Sequence, residues 1–209
     1  MGTAARLSRQ QSENHTAYWR EPQGGDLTYV ALGDSAGVGV GAANPADGYV
    51  GLVAMRLEAS TGRSARIVNL SVSGARARDV LEQQMPILAT LPAPDVVTCI
   101  VGGNDVAWST LFRARRFAHT MAAIADGLPP GSVLGLLPHF VHWPYDARAC
   151  RANATIRAIA ADRGLPVADI HSPTRALGLR DYLATFAADR FHPNERGHRL
   201  WADAITRAV

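Results

Sequence analysis

The strongest constraint on this chain is a rhythm of short, uninterrupted apolar runs, each halted by glycine or a polar turn and followed by a stretch with helical spacing. The first run, Tyr29-Val30-Ala31-Leu32, stops at Gly33-Asp34-Ser35. A strand buried on both faces reads as a continuous apolar run, whereas one with a wet face alternates. Runs over residues 28–32, 65–70, 95–101, 132–137 and 166–170 fit the first kind. Helical patterns lie between them at 49–60, 75–85 (interrupted at Pro86), 113–125 and 147–162, with Gly62 and Gly164 as stop signals. Residues 37–48, rich in glycine and turn residues, read as a loop, and Pro193 is placed to open a last helix. The alternation predicts an α/β fold: a three-layer α/β/α sandwich around a flavodoxin-like, five-stranded parallel sheet. Residues 27–209 form that domain, and residues 1–26 read as an irregular N-terminal arm that Tyr18 and Trp19 pin in part.

Open parallel sheets bind ligands beyond the carboxyl ends of their strands. Polar groups gather at that edge: Ser35 after the first run, Gly74 after the second and Asn104 after the third. Each has a bland reading. Gly33-Asp34-Ser35 also suits an ordinary strand-to-helix turn, Gly74 a left-handed turn residue and Asn104 an Asx turn.

Composition excludes several partners. The formal charge is only +3, and all 21 basic residues are arginines scattered along the chain, so no nucleic-acid stripe is present. Arg113, Arg115 and Arg116 read as a solvated helix face. No apolar run approaches the roughly 18 residues of a membrane span, and the polar N-terminus has no leader-like apolar core, which points to the cytoplasm. A secreted form already stripped of its leader has the same appearance. Of the two cysteines, Cys99 sits in an apolar run and reads as core, while Cys150 falls in a polar loop or early helix. No Cys/His spacing suggests zinc, and the expectation is no metal and no cofactor. Oligomeric state is not legible.

A hydroxyl becomes a useful nucleophile when a base takes its proton and a third group fixes that base's tautomer. Near the C-terminus, Asp189 and His192 stand three apart, so a turn lets the carboxylate reach the imidazole Nδ1–H. Ser35, His192 and Asp189 then fill the three roles, and the Ser35 amide, the Gly74 amide and the Asn104 side chain supply donors for an oxyanion. Capping of the last helix is the competing use of Asp189 and His192.

Gly33-Asp34-Ser35, Gly74, Gly102-Gly103-Asn104-Asp105 and Asp189-x-x-His192-Pro193 together resemble the blocks of the SGNH (GDSL-type) hydrolase family, in its order and over residues 28–209. The resemblance implies a serine esterase or lipase-like acyl hydrolase acting on a small-molecule ester. Ser35 would be the nucleophile, Asp189 and His192 would complete the triad, and Ser35, Gly74 and Asn104 would form the oxyanion hole. One departure is Ala36, where the family often has leucine.

Other readings compete. Gly33-x-Ser35-x-Gly37 matches the elbow of α/β-hydrolases, which needs several strands before it, and only one precedes Ser35. Chymotrypsin-like proteases place their histidine and aspartate upstream, where only His15 stands. Gly37-x-Gly39-x-x-Ala42 imitates a dinucleotide fingerprint, but Asn44-Pro45 bars a helix directly after it. A ligand-binding pseudoenzyme sits poorly with retention of the full set. An acyl thioesterase or a carbohydrate O-acetylesterase stays open on the same site. Loops 106–116 and 138–146, carrying Trp108, Phe140, Trp143 and Tyr145, are expected to shape an apolar acyl pocket unless those aromatics only anchor the loops.

Overall fold

The computed structural model describes residues 3–108 and 111–209, with side chains from residue 6 onward. Strands β1 (Leu27–Gly33), β2 (Ala65–Asn69), β3 (Val96–Ile100), β4 (Val133–Gly135) and β5 (Val167–Ala168) are all parallel, in the order β2-β1-β3-β4-β5. This is the expected doubly wound order, with its switch point between β1 and β3. Alternate β1 residues serve opposite layers. Val30 and Leu32 join Val97 and Cys99 beneath helices Ala114–Gly127 and Tyr145–Arg163, while Tyr29 and Ala31 join the layer of helix α3 (Tyr49–Thr61) and the C-terminal helix Glu195–Thr206. Both faces are dry, hence the unbroken apolar runs. Burying a side chain such as Leu32 or Leu134 contributes about 1.5–3 kcal/mol.

Four sequence expectations need correction. The N-terminal arm is not irregular: Thr3–Arg20 is helix α1. Its inner face carries Ser8, Gln11, His15 and Trp19, spaced i, i+3, i+7, i+11, and it docks through hydrogen bonds instead of an apolar stripe. Trp19 is buried and donates from Nε1 to the Val38 carbonyl at 3.0 Å, whereas Tyr18 remains exposed. Pro86 does not interrupt its helix, because residues 80–84 form a π turn between Ala77–Asp79 and Met85–Leu88. The wider turn moves the carbonyl that a proline ring would strike. The loop after β1 begins as a short helix, α2 (Ser35–Val38), capped by Asp34, whose Oδ1 accepts from the Ala36 amide at 3.0 Å. Finally, Pro193 precedes the C-terminal helix, whose cap is Asn194.

Fully buried His198, on that last helix, ties the layers together. Its Nδ1 accepts from the Tyr49 amide at 3.2 Å and its Nε2–H donates to the Val40 carbonyl at 3.1 Å. Burial pushes its pKa down to about 4, in keeping with a neutral ring that uses both nitrogens. No helix among the described residues is long and apolar enough to cross a membrane.

Candidate active site

Gly33 ends β1 with both backbone groups held by the buried Gln84 side chain, N–H to Oε1 at 2.9 Å and Nε2 to the carbonyl at 2.8 Å. This clamp from the π turn fixes the strand end two residues before Ser35. Ser35 is then the first residue of α2 and is buried. Two glycines let other segments close over it. A Cβ on Gly37 would lie 2.1 Å from Ser71 Oγ, and one on Gly41 (φ 99°) would lie 2.1 Å from the Pro193 carbonyl. The loop after Ser35 therefore packs backbone to backbone against the segment carrying His192.

His192 stands on a turn tied by a main-chain bond from the Ala187 amide to its own carbonyl at 2.9 Å. Within the turn Arg190 adopts a left-handed conformation, φ 55°. Asp189 Oδ1 accepts the amides of Phe191 and His192, both at 3.0 Å, and Oδ2 lies 2.6 Å from His192 Nδ1. His192 Nε2 lies 3.0 Å from Ser35 Oγ. Helix capping does not occupy the pair, since Asn194 Oδ1 takes the Arg196 and Gly197 amides instead. Burial works against ionisation of Asp189, but donors from His192, Ser8 and the two amides outweigh it and hold the carboxyl well below the usual carboxylate range. A fixed carboxylate, an imidazole and a hydroxyl in line can pass a proton from oxygen to nitrogen.

Ser8 is a partner that apolar periodicity does not reveal: from α1 its Oγ–H donates to Asp189 Oδ2 at 2.6 Å, across 181 residues of sequence. Gln11 adds two bonds to the loop after Ser35, accepting the Gly41 amide at 2.9 Å and donating to the Ala42 carbonyl. A stripe of polar residues at helical spacing was the only available signal.

Asn104 lies in the short helix Gly103–Ala107, after Gly102 at the end of β3, and is buried. Its Nδ2 donates to the Ala75 carbonyl at 3.0 Å and reaches Asp34 Oδ2 at 3.5 Å, which is not an Asx turn. Burial pushes the Asp34 carboxyl up to about 6, against the opposing pull of the Ala36 amide and His192. Gly74 is brought less close. It sits in an exposed turn at φ 83°, one residue before the carbonyl that holds Asn104, and does not line the cavity over Ser35.

That cavity is about 50 Å³ and is bounded by Ser35, Asn104, His192, Leu137, Phe140 and Phe191. Phe140 and Phe191 also wall a second, apolar cavity of about 260 Å³ with Trp108, Tyr145, Tyr182 and Phe186. Trp143 is exposed and lines neither. Of the loop expected over 106–116, residues 109 and 110 lie outside the described residues.

Comparison with known proteins identifies the family and the fold. A GDSL-like esterase of Mycobacterium tuberculosis is 27% identical over 202 residues, covering 91% of this chain; the chain spans 64% of that relative's length. An alpha/beta hydrolase from the metagenome of Lake Arreo, Spain, superposes with a TM-score of 0.69 at 25% identity, covering 89% of this chain and 96% of that one. A variant of an acetyl xylan esterase from Geobacillus stearothermophilus shares the fold, with a TM-score of 0.69 at 23% identity over 88% of this chain and 95% of its own. The profile of GDSL-like lipases and acylhydrolases matches residues 31–200, from within β1 to the last helix, and the chain belongs to the GDSL-like Lipase/Acylhydrolase family.

Proposed function

We propose that the chain hydrolyses carboxylic esters through an acyl-serine intermediate. The observation that carries this reading is the line Ser35 Oγ, His192 Nε2 and Nδ1, Asp189 Oδ2, with links of 3.0 and 2.6 Å, opening onto a cavity. His192 takes the Ser35 proton as Oγ attacks the carbonyl carbon, gives it to the departing alcohol, and then activates water to release the acid. Asp189 holds the tautomer and stabilises the imidazolium. The Ser35 amide at the start of α2, the Asn104 Nδ2 and the Gly74 amide receive the oxyanion. The Gly74 turn approaches the substrate from outside the cavity lining.

Size favours a short acyl group beside Ser35. The space over Ser35, about 50 Å³, is several times smaller than the aromatic cavity beside it, about 260 Å³. The aromatic cavity next door suits an apolar alcohol portion. Acetylated sugars and thioesters share the chemistry but lack this apolar match. The experiment is labelling with a fluorophosphonate, alongside a chain-length series of p-nitrophenyl esters, acetylated saccharides and acyl-CoAs. Covalent modification should map to Ser35, vanish in Ser35→Ala, and accompany turnover that is fastest for the acetate ester. A chain that hydrolyses no ester and takes no label at Ser35 would defeat the proposal.

In this scheme Ser8 is a positioning residue. Its hydrogen bond to a carboxylate is of the class that contributes about 1.5–3 kcal/mol. Ser8→Ala should lower kcat roughly tenfold with KM unchanged. A raised KM with kcat unchanged would reduce Ser8 to packing.

A further inference from the structure

The long helix Tyr145–Arg163 places Asp146 and Cys150 one turn apart on one face, and the chain returning from β5 brings His171 against them. One carboxylate oxygen, the thiol and one imidazole nitrogen all lie within 4.8 Å of one another, and Cys150 Sγ is 4.0 Å from His171 Nε2. None of the three belongs to the serine site. We propose that Asp146, Cys150 and His171 form a binding site for a borderline-soft divalent cation, with Zn²⁺ as the chemical match.

Three features support it. The donor set is sulfur, nitrogen and oxygen, and thiolate with imidazole selects zinc-like ions over Mg²⁺ or Ca²⁺. Tetrahedral coordination at bond lengths of about 2.0–2.3 Å brings donors to roughly 3.5 Å apart, a contraction that the exposed Cys150 side chain accomplishes by a small rotation. Among the described residues, His171 Nδ1 is buried without a hydrogen-bond partner, and Nε2 has the Cys150 thiol as its neighbour at 4.0 Å. The half-buried ring keeps Nε2 facing the thiol with no stronger partner, so that nitrogen is free to coordinate a cation.

The carboxylate is already steadied in the way metal-bound carboxylates are. Asp146 Oδ1 accepts the Phe140 amide at 3.2 Å and pairs with His139 Nδ1 at 2.7 Å, while Oδ2 has, among the described residues, the Arg175 guanidinium at 3.9 Å. Because the Phe140 side chain separates the two cavities, a cation here braces the wall of the substrate site from behind. Sequence spacing hides the site, since His171 lies 21 residues beyond Cys150 and arrives only through β5.

Cobalt titration of the reduced, full-length protein tests this independently of any ester chemistry. Co²⁺ should bind one per chain with a near-ultraviolet sulfur-to-cobalt charge-transfer band, Zn²⁺ should displace it, and Zn²⁺ should slow alkylation of Cys150 by iodoacetamide. Cys150→Ser should lose the band, and His171→Ala should weaken Co²⁺ binding by at least about 100-fold, more than a supporting residue would. No band at millimolar Co²⁺, a band that survives Cys150→Ser, or an alkylation rate indifferent to Zn²⁺ would each overturn the proposal. The alkylation measurement uses the unaltered chain and so stands whether or not the variants fold.

Discussion

Ser35→Ala and His192→Ala should each reduce kcat for an ester substrate by at least about 10³-fold, and the double variant should be no worse than either alone. The reason is geometric. Ser35 Oγ has its base at 3.0 Å, and that base is held from behind at 2.6 Å by a carboxylate whose other oxygen is locked by two amides. Without His192 the hydroxyl keeps its proton, and without Ser35 the imidazole has no nucleophile to activate, so the second deletion removes nothing further. What remains in either variant is substrate binding and the oxyanion donors. Both side chains lie at the rim of the fold and not in its apolar layers, so melting temperatures should shift little. Additive losses in the double variant would mean that the two act independently, and a single variant with more than a tenth of the activity would place the base elsewhere.

The sheet was legible because its physics is one-dimensional. Thr28, Tyr29, Val30, Ala31 and Leu32 need no partner in view to declare a strand buried on both sides, and the parallel order follows from alternation with helices. The placing of Ser35 and Asn104 at one rim was legible for the same reason, since a parallel sheet delivers its strand ends to one edge, whereas His192, on a turn well beyond β5, was signalled by the Asp189-x-x-His192 pattern and the family resemblance. Helix α1 was not, because it docks by Ser8, Gln11 and His15, residues that any apolar-periodicity reading assigns to solvent. Pro86 deceived in the opposite direction. A helix breaker by rule, it is accommodated by a π turn whose Gln84 clamps Gly33, a fact that depends on a contact 51 residues away. At the C-terminal helix, Pro193 and Asn194 are both good starting residues, and only the hydrogen bonds from the Arg196 and Gly197 amides decide between them.

Asn104→Ala should cost about 10²–10³ in kcat while KM changes little, because an oxyanion donor acts mainly once the charge has formed. Asn104 Nδ2 donates to the Ala75 carbonyl at 3.0 Å, which orients the amide, and it meets Asp34 Oδ2 at the long distance of 3.5 Å where the residue lines the cavity over Ser35. That loose contact is what a donor should have before reaction, since a strong ground-state partner would have to be given up in the transition state. Removing the side chain also leaves the buried Ala75 carbonyl unsatisfied, at a cost of about 1–3 kcal/mol of stability, so kinetics must be compared well below the melting temperature of the variant. Asn104→Asp separates the two effects. It fills the same space, but its carboxylate faces both the developing oxyanion and Asp34, whose own carboxyl already titrates near 6 through burial. As pH rises through that range the repulsion should grow, so the loss in kcat should exceed that of the alanine variant above about pH 6 and narrow below it. Equal losses at all pH values would point to a packing role, and unchanged turnover in Asn104→Ala would remove the residue from the oxyanion hole.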